Sequence, residues 1–344
     1  MRRVVVTGGA GFLGSAVVRH LIRRTEHEVI TLDALTYAGD LRALESVASH
    51  PRHRFERLDI RQGRAVQALF EEARPDAVIH LAAESHVDRS LDHAAPFVDT
   101  NVVGTATLLD VVRAWLDHPD GPSRDRFRFV HVSTDEVYGD LPIEGGERFD
   151  EESPYDPHSP YAASKAASDH LVGAWAHSWA VPAVITHGTN TYGPGQYPEK
   201  LIPVAILRAL AGEPIPLFGS GRNVRDWIHV DDHASALVRI LDRAEPGARF
   251  GIGARCEHAN LAVVSQICAL LDEIAPRVDG EGHAAAITFV ADRPGHDRRY
   301  ATDPSALETA LGWSPEVGWA EGLRATVQWF VDHEQWCRDR LHRR

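Results

Sequence analysis

Near its start the chain runs a short β-branched stretch, Val4-Val5-Val6, into Thr7-Gly8-Gly9-Ala10-Gly11-Phe12-Leu13-Gly14 and then a helical pattern to about Arg24. No other feature restricts the fold as much. Glycines at 8, 11 and 14 permit a tight turn, close approach of backbone to a pyrophosphate, and close packing of helix on strand. The helix that follows would present its N-terminus to that pyrophosphate. A second strand, Glu28 to Leu32, ends in Asp33, at the spacing of about 20 residues where a carboxylate meets the adenine ribose of a dinucleotide. A carboxylate there would repel a 2′-phosphate, so the residues favour NAD over NADP.

Strand and helix patterns keep alternating. Phe55–Leu58 precedes Asp59-Ile60, Ala77–Leu81 precedes Ala82-Ala83-Glu84-Ser85-His86, and Phe127–Val132 precedes Ser133-Thr134-Asp135. Such alternation predicts an α/β fold with a doubly wound, parallel, Rossmann-type sheet and ligands at the carboxyl ends of its strands. Asp117 to Arg126, with two prolines and a glycine, reads as a surface loop. The expected division is a dinucleotide-binding domain over residues 1–188 and about 222–251. A smaller, mixed α/β substrate domain takes 189–221 and 252–344.

At 344 residues the chain suits one large or two closely joined domains. A net charge of -13 argues against nucleic acid or an anionic membrane as partner. Any anionic ligand must be held by local basic residues. Cys256, Cys268 and Cys337 form no paired framework and fit a reducing cytoplasm. No apolar run is long enough to span a bilayer, and the first strand begins almost at Met1, leaving no room for a signal peptide. The twenty histidines show no metal-ligand spacing, so no metal is expected. Two helical stretches, Val98 to Trp115 and Tyr161 to Trp179, carry apolar residues on more than one face, including Leu171, Trp175 and Trp179. A helix apolar on two sides is buried on two sides. The Trp-rich end, Trp313 to Trp336, reads as an amphipathic closing helix.

Chemistry gathers around Tyr161-Ala162-Ala163-Ser164-Lys165. Four residues apart on a helix, Tyr161 and Lys165 share one face. Ser159 can cap that helix and Pro160 can take its first turn. A free tyrosine has a pKa of about 10, but a nearby ammonium and a helix N-terminus both favour the phenolate, which would make Tyr161 a usable base. Taken alone, Tyr and Lys at this spacing are usually just solvated. Of 36 basic residues, however, only Lys165 and Lys200 are lysines. A compact ammonium serves several oxygens at once, which the flat guanidinium fork does not mimic. Ser133-Thr134-Asp135-Glu136-Val137-Tyr138-Gly139 lies at a strand's carboxyl end. Adjacent carboxylates on a strand point to opposite faces, so both serve one site only if the strand has already ended. Without the rest of the site, this stretch would pass for a solvated acidic loop.

With these residues in view, the chain resembles the extended short-chain dehydrogenases and, within them, the dTDP-glucose 4,6-dehydratases. The resemblance is carried by residues 7–14, 33–39, 82–90, 133–139 and 159–170. It continues through Tyr197 to Pro203, Arg225-Asp226-Trp227 and Asp292-Arg293-Pro294-Gly295-His296-Asp297, covering nearly the whole chain. The resemblance implies that Tyr161, Lys165 and Thr134 carry oxidation at the sugar C4, with hydride passing to NAD. Glu136 would then remove the C5 proton, Asp135 would protonate the departing 6-hydroxyl, and hydride would return to C6. It further implies cofactor contacts from Gly8, Gly11, Phe12, Leu13, Gly14, Asp33, Leu35, Thr36, Asp59 and Ile60. Leu81, Ala82, Ala83, Ser85, Thr100, Tyr161, Lys165 and Thr191 complete that set. For dTDP-glucose the implied contacts are Ser85, Thr134, Asn190, Lys200, Leu201, Pro216, Phe218, Arg225, Asn260, Arg293 and His296. Among these, Lys200, Arg225 and Arg293 would meet the pyrophosphate; a salt-bridged surface turn is the plainer role for Arg293 and Arg298. Thr191 is a departure, because the family usually has an asparagine there. A homodimer built through a helix bundle is likewise implied.

The nearest alternatives are a dehydratase for another nucleotide base, a 4-epimerase or decarboxylase on the same fold, and a non-catalytic NAD-sensing protein. An epimerase needs no acid–base pair beyond the tyrosine, so Asp135-Glu136 speaks against it. A sensor would have no need of Thr134, Tyr161 and Lys165 together.

Overall fold

The computed structural model describes residues 1–341; the last three residues of the expected segment 252–344 lie outside the described residues. Its main sheet is built from β1 (Arg3–Thr7), β2 (Glu28–Asp33), β3 (His53–Arg57), β4 (Ala77–His80), β5 (Arg128–Thr134) and β6 (Ala183–Gly188). The chain then detours through β7 (Asn190–Tyr192), β8 (Ile215–Phe218) and β9 (Val224–His229) before β10 (Arg249–Ile252) completes the sheet. The order is β10-β6-β5-β4-β1-β2-β3, and every neighbouring pair is parallel. This is the expected doubly wound α/β sheet. Its order reverses at β1, which sits between β2 and β4, so a ligand crevice opens at their carboxyl ends.

Both faces of that sheet are covered. Val4 and Val6 face one core and Val5 the other, and all three are fully buried; successive strand side chains alternate. The first core holds Leu21 of α1 (Phe12–Arg24) and Leu237 and Leu241 from a later helix, α8 (Val230–Arg243). The second holds Phe70 of α2 (Gly63–Ala73), while α3 (Val87–Asp92) and α4 (Ala95–Phe97) lead through a wide turn over Val98–Gly104 towards its remaining helices. Those are α5 (Thr105–Asp117), contributing Leu108 and Val112, and α6 (Pro160–Trp179), contributing Val172. The glycine turn needs its glycines. Gly8 has φ of +68°, and a Cβ on Gly14 would stand 2.1 Å from the Gly8 carbonyl oxygen. Only glycine lets α1 approach the turn so closely.

A smaller layer stands over the carboxyl edge. β11 (Glu257–Ala259), β9 and β7 form one sheet, and β8 pairs in parallel with β12 (Ile287–Val290). Around them lie α7 (Leu201–Leu210), α9 (Asn260–Ile274), α11 (Trp319–Asp332) and α12 (Glu334–Leu341), whereas α10 (Ser305–Leu311) returns to the first core with Leu307 and Leu311. Ile206, Leu217, Val264, Leu323 and Phe330 form the core of this layer. Two expectations are corrected here. β9 falls inside residues 222–251 yet belongs to the small sheet, because its backbone pairs with β7 and β11; the return to the main sheet begins with α8. The Trp-rich end is not one helix. Trp313 packs in the first core and donates to Ser235 Oγ on α8 (2.8 Å). Pro315 and Gly318 interrupt the chain before α11, and α11 breaks from α12 at His333. Among the described residues no helix is long and apolar enough to cross a membrane.

Candidate active site

α6 begins where its sequence says it should. Ser159 Oγ accepts from the Ala162 N–H (3.1 Å), and Pro160 occupies the first turn. Tyr161 and Lys165 are buried one turn apart, and the Lys165 ammonium donates to the Val132 carbonyl (2.9 Å). β5 ends at Thr134, whose hydroxyl oxygen accepts from the Glu136 N–H (3.3 Å) and starts a 3₁₀ turn over Asp135–Tyr138. Gly139, at φ of +82°, closes the turn. The strand has therefore ended before the acids, and both reach one cleft. That cleft, about 750 Å³, is walled by Thr134, Asp135, Glu136, Tyr161 and Lys165, with the glycine turn at one end and Lys200, Arg225 and Arg293 at the other.

Burial sorts the charges. Asp135 is pushed up to about 7 by burial and then by the neighbouring Glu136, against hydrogen bonds from Thr189 and Thr302. Thr302 Oγ1 donates to Asp135 Oδ2 at 3.2 Å. Glu136 is also raised by burial, but Lys200, Arg293 and Arg225 pull it back. One carboxyl thus tends to hold a proton while the other faces three cations. This is the arrangement that lets adjacent acids take opposite roles. Burial lowers Lys165 to about 8, with Asp169 opposing.

Tyr161 behaves contrary to expectation. Burial and then Glu136 raise its phenol above the ordinary tyrosine range, and the hydrogen bond with Thr134 offsets only part of this. A phenolate here would form in a dry site facing two carboxylates. Its ionisation calls for positive charge entering the cleft beside it.

The profile of the family described as GDP-mannose 4,6 dehydratase matches residues 5–326. A dTDP-glucose 4,6-dehydratase of Neisseria meningitidis is 50% identical over 99% of this chain and 97% of its own. The chain belongs to the dTDP-glucose 4,6-dehydratase family. Solved structures agree. The dTDP-glucose 4,6-dehydratase of Streptomyces venezuelae with NAD bound superposes with a TM-score of 0.88 at 41% identity, covering 98% of this chain and 99% of that one. Its Bacillus anthracis counterpart in complex with NAD gives 0.86 at 38%, covering 99% and 100%.

In this dehydratase the glycine-turn half of the cleft is lined by Gly8, Gly11, Phe12, Leu13, Gly14, Asp33, Thr36, Asp59 and Ile60. Leu81, Ala82, Ala83, Ser85, Thr100 and Thr191 continue that wall. No side chain caps α1, so the N–H groups of its first turn are left for a ligand. Asp33 accepts from the Ala10 N–H (2.9 Å) and the Leu35 N–H (2.7 Å). Leu35 is the exception. At φ of +54° it turns into the first core and does not line the cleft; the stretch acts through its backbone. Thr191 Oγ1 bonds His233 Nδ1 (2.7 Å).

Asn190, Lys200, Leu201, Pro216, Phe218, Arg225, Asn260, Arg293 and His296 line the other half. Lys200 donates to the Ser85 carbonyl (2.8 Å) and Arg293 to Asp88 (3.0 Å), so both bridge from the small layer to the segment that follows β4. Arg225 is anchored on the Val224 and Asp297 carbonyls (2.8 and 2.9 Å), over the Tyr300 ring. His296 pairs with Asp292 (2.6 Å) beside Phe218. Arg298 does sit in a salt-bridged turn, with Asp140. Asn190 Oδ1, Asn260 Oδ1 and Arg293 Nε are buried without a partner among the described residues. Buried polar atoms left open in a cleft mark where a polar ligand binds. Sequence reasoning missed Thr189, Tyr300 and Thr302, which touch or flank the acids and Arg225. Tyr300 and Thr302 lie far along the chain in stretches without a motif, so no local signal marks them; Thr189 directly precedes Asn190, in a stretch where only Asn190 and Thr191 stood out.

Proposed function

We propose that this enzyme dehydrates dTDP-glucose to dTDP-4-keto-6-deoxyglucose with NAD, a step in deoxysugar formation. The observation that carries the reading is the pair Asp135 and Glu136, adjacent in sequence, both in the cleft and both raised by burial, with Lys200, Arg293 and Arg225 opposing the rise at Glu136. The glycine turn, the uncapped helix N-terminus and Asp33 fit the pyrophosphate and ribose of NAD. Bound there, NAD would supply the hydride-accepting and hydride-donating chemistry and a cationic ring that would favour the Tyr161 phenolate.

The remaining chemistry belongs to the chain. Tyr161 takes the proton of the 4-hydroxyl, Thr134 holds the same oxygen, and Lys165 orients the ribose hydroxyls. Glu136, ionised beside Lys200, Arg225 and Arg293, removes the proton from C5, which the 4-ketone acidifies. Asp135 gives its proton to the leaving 6-hydroxyl. Lys200, Arg225 and Arg293 hold the pyrophosphate, while Asn190 and Asn260 offer open acceptors to sugar and base. Hydride chemistry at C4 is shared with an epimerase; the elimination is not.

Substrate bearing deuterium at C4 tests this. The label should appear at C6 of the same molecule when labelled and unlabelled substrate are mixed. Glu136→Gln should still oxidise C4 while elimination falls steeply. Label returned to C4, or washed into solvent, would reject the reading. So would normal product formation by a chain carrying both Asp135→Asn and Glu136→Gln.

The assembly belongs to the same proposal. Val98, Val103 and Trp179 are 48%, 50% and 41% exposed along α6 and the turn beside it, and we infer that two chains bury them in a helix bundle. Residues 1–188 with 230–252 would carry the cofactor and the rest the nucleotide sugar, in a cytoplasmic enzyme whose three thiols are all free.

A further inference from the structure

Beneath the cleft, on the side away from substrate, lies a buried polar cluster that the mechanism above does not use. At its centre is Asp169, 1% exposed and one helical turn beyond Lys165 on α6. It does not line the cleft. Its Oδ2 accepts from Ser133 Oγ (2.8 Å) and Tyr155 OH (3.1 Å) and meets His187 Nε2 (3.2 Å), while Oδ1 meets His131 Nε2 (3.0 Å). Ser168 Oγ meets the same His131 Nε2 (3.3 Å) and donates to the Lys165 carbonyl (2.8 Å). Tyr138 OH closes the cluster on His187 Nδ1 (2.9 Å).

These partners come from three elements that build the site. Ser133 stands between Val132, whose carbonyl takes the Lys165 ammonium, and Thr134. His187 belongs to β6, and Tyr138 to the turn that carries Asp135 and Glu136. A buried carboxylate costs several kcal/mol unless it is paired and hydrogen-bonded. Four donors on one carboxylate make it a junction between α6, β5 and β6. Burial raises Asp169, but His131 and His187 more than offset this and hold it ionised. Its charge is the one opposing the desolvation of Lys165.

We propose that Asp169 is a positioning residue of the reaction: it fixes the Lys165 ammonium, and the end of β5, in the geometry that Tyr161 and Thr134 require. The proposal rests on the role assigned to Lys165 above. Other charged or titratable groups face the cluster. His80 of β4 lies against His131 at 5.4 Å between rings, His170 lies against Tyr155, and Arg249, Glu151 and Asp135 act on Tyr138. None of these is removed by changing Asp169.

The test uses the two lysines. With ¹³C-labelled lysine and Lys200→Arg for assignment, the Lys165 signal is titrated in protein without added ligand. Its midpoint near 8 should fall by roughly one unit in Asp169→Asn, a tenfold change in the deprotonation equilibrium. Turnover of that variant should fall roughly ten- to a hundredfold in kcat with KM nearly unchanged. An unmoved Lys165 midpoint, or kcat within twofold of the parent, overturns the proposal. If Asp169→Asn does not fold, Ser133→Ala replaces it, since that change keeps the carboxylate and removes one of its two ties to β5, the one beside Val132 and Thr134, while His131 keeps the other. Its kcat should drop several-fold at constant KM, and an unchanged kcat overturns the proposal. A Lys165→Met chain with normal turnover would instead refute the role of Lys165 itself, a distinguishable failure.

Discussion

Thr302→Val puts the acid role of Asp135 to the sharpest test. Thr302 is buried outside the cleft, touches no ligand position, and donates one hydrogen bond to Asp135 Oδ2 at 3.2 Å. That bond favours the ionised carboxylate. Hydrogen bonds to charged groups contribute about 1.5–3 kcal/mol, and one pKa unit corresponds to about 1.4 kcal/mol. At 3.2 Å the lower figure applies, so valine should lift Asp135 by about one unit from its value of about 7. The sign is definite. A general acid works protonated, so activity is lost as pH rises through its pKa, and raising that pKa moves the loss to higher pH. In a profile of kcat/KM for 4-keto-6-deoxy product over roughly pH 6 to 9, the alkaline limb should move up by about one unit. Deprotonation of Lys165, at about 8, then sets its ceiling. An alkaline limb that stays in place or moves down would refute the assignment of Asp135 as the acid.

Three further outcomes are expected. Lys165→Arg keeps the charge but not the compact ammonium that reaches the Val132 carbonyl from a buried position, and should lower kcat roughly a hundredfold or more; near-normal turnover would contradict it. The enzyme should bind NAD and ignore NADP, because two backbone N–H groups hold the Asp33 carboxylate at the end of β2, where it would repel a 2′-phosphate; fluorescence titration showing equal affinity would reject this. Sedimentation should give a dimer at micromolar concentration, and Val103→Asp, which puts a charge on a half-exposed apolar position, should weaken it at least roughly tenfold.

Much of the architecture was legible because it is written in local pattern. Val4–Val6 followed by Gly8, Gly11 and Gly14 describes one strand, one turn and one helix, and sterics within that stretch leave little choice. Ser159, Pro160, Tyr161 and Lys165 likewise set a helix start and one of its faces without help from the rest of the chain. Boundaries that depend on distant partners were not legible. β9 has the composition of any short strand, and its place in the small sheet follows from pairing with β7 and β11. Leu35 sits in a motif full of ligand-facing residues, yet its left-handed backbone turns its side chain to the core.

Charge shows the division most clearly. Sequence alone determined which titratable groups share the site: Asp135, Glu136, Tyr161 and Lys165 in two short motifs. Which way each one shifts is a property of depth and neighbours, and these come from segments far apart in the chain. Near Tyr161, local reasoning counted a lysine and a helix N-terminus and expected the phenolate to be favoured. The folded chain buries the phenol against Glu136, so the shift runs the other way. Thr302 on Asp135, and His131 and His187 on Asp169, carry no motif. Electrostatic energy grows as water is excluded and as separation through space falls, and only the tertiary structure decides those two quantities.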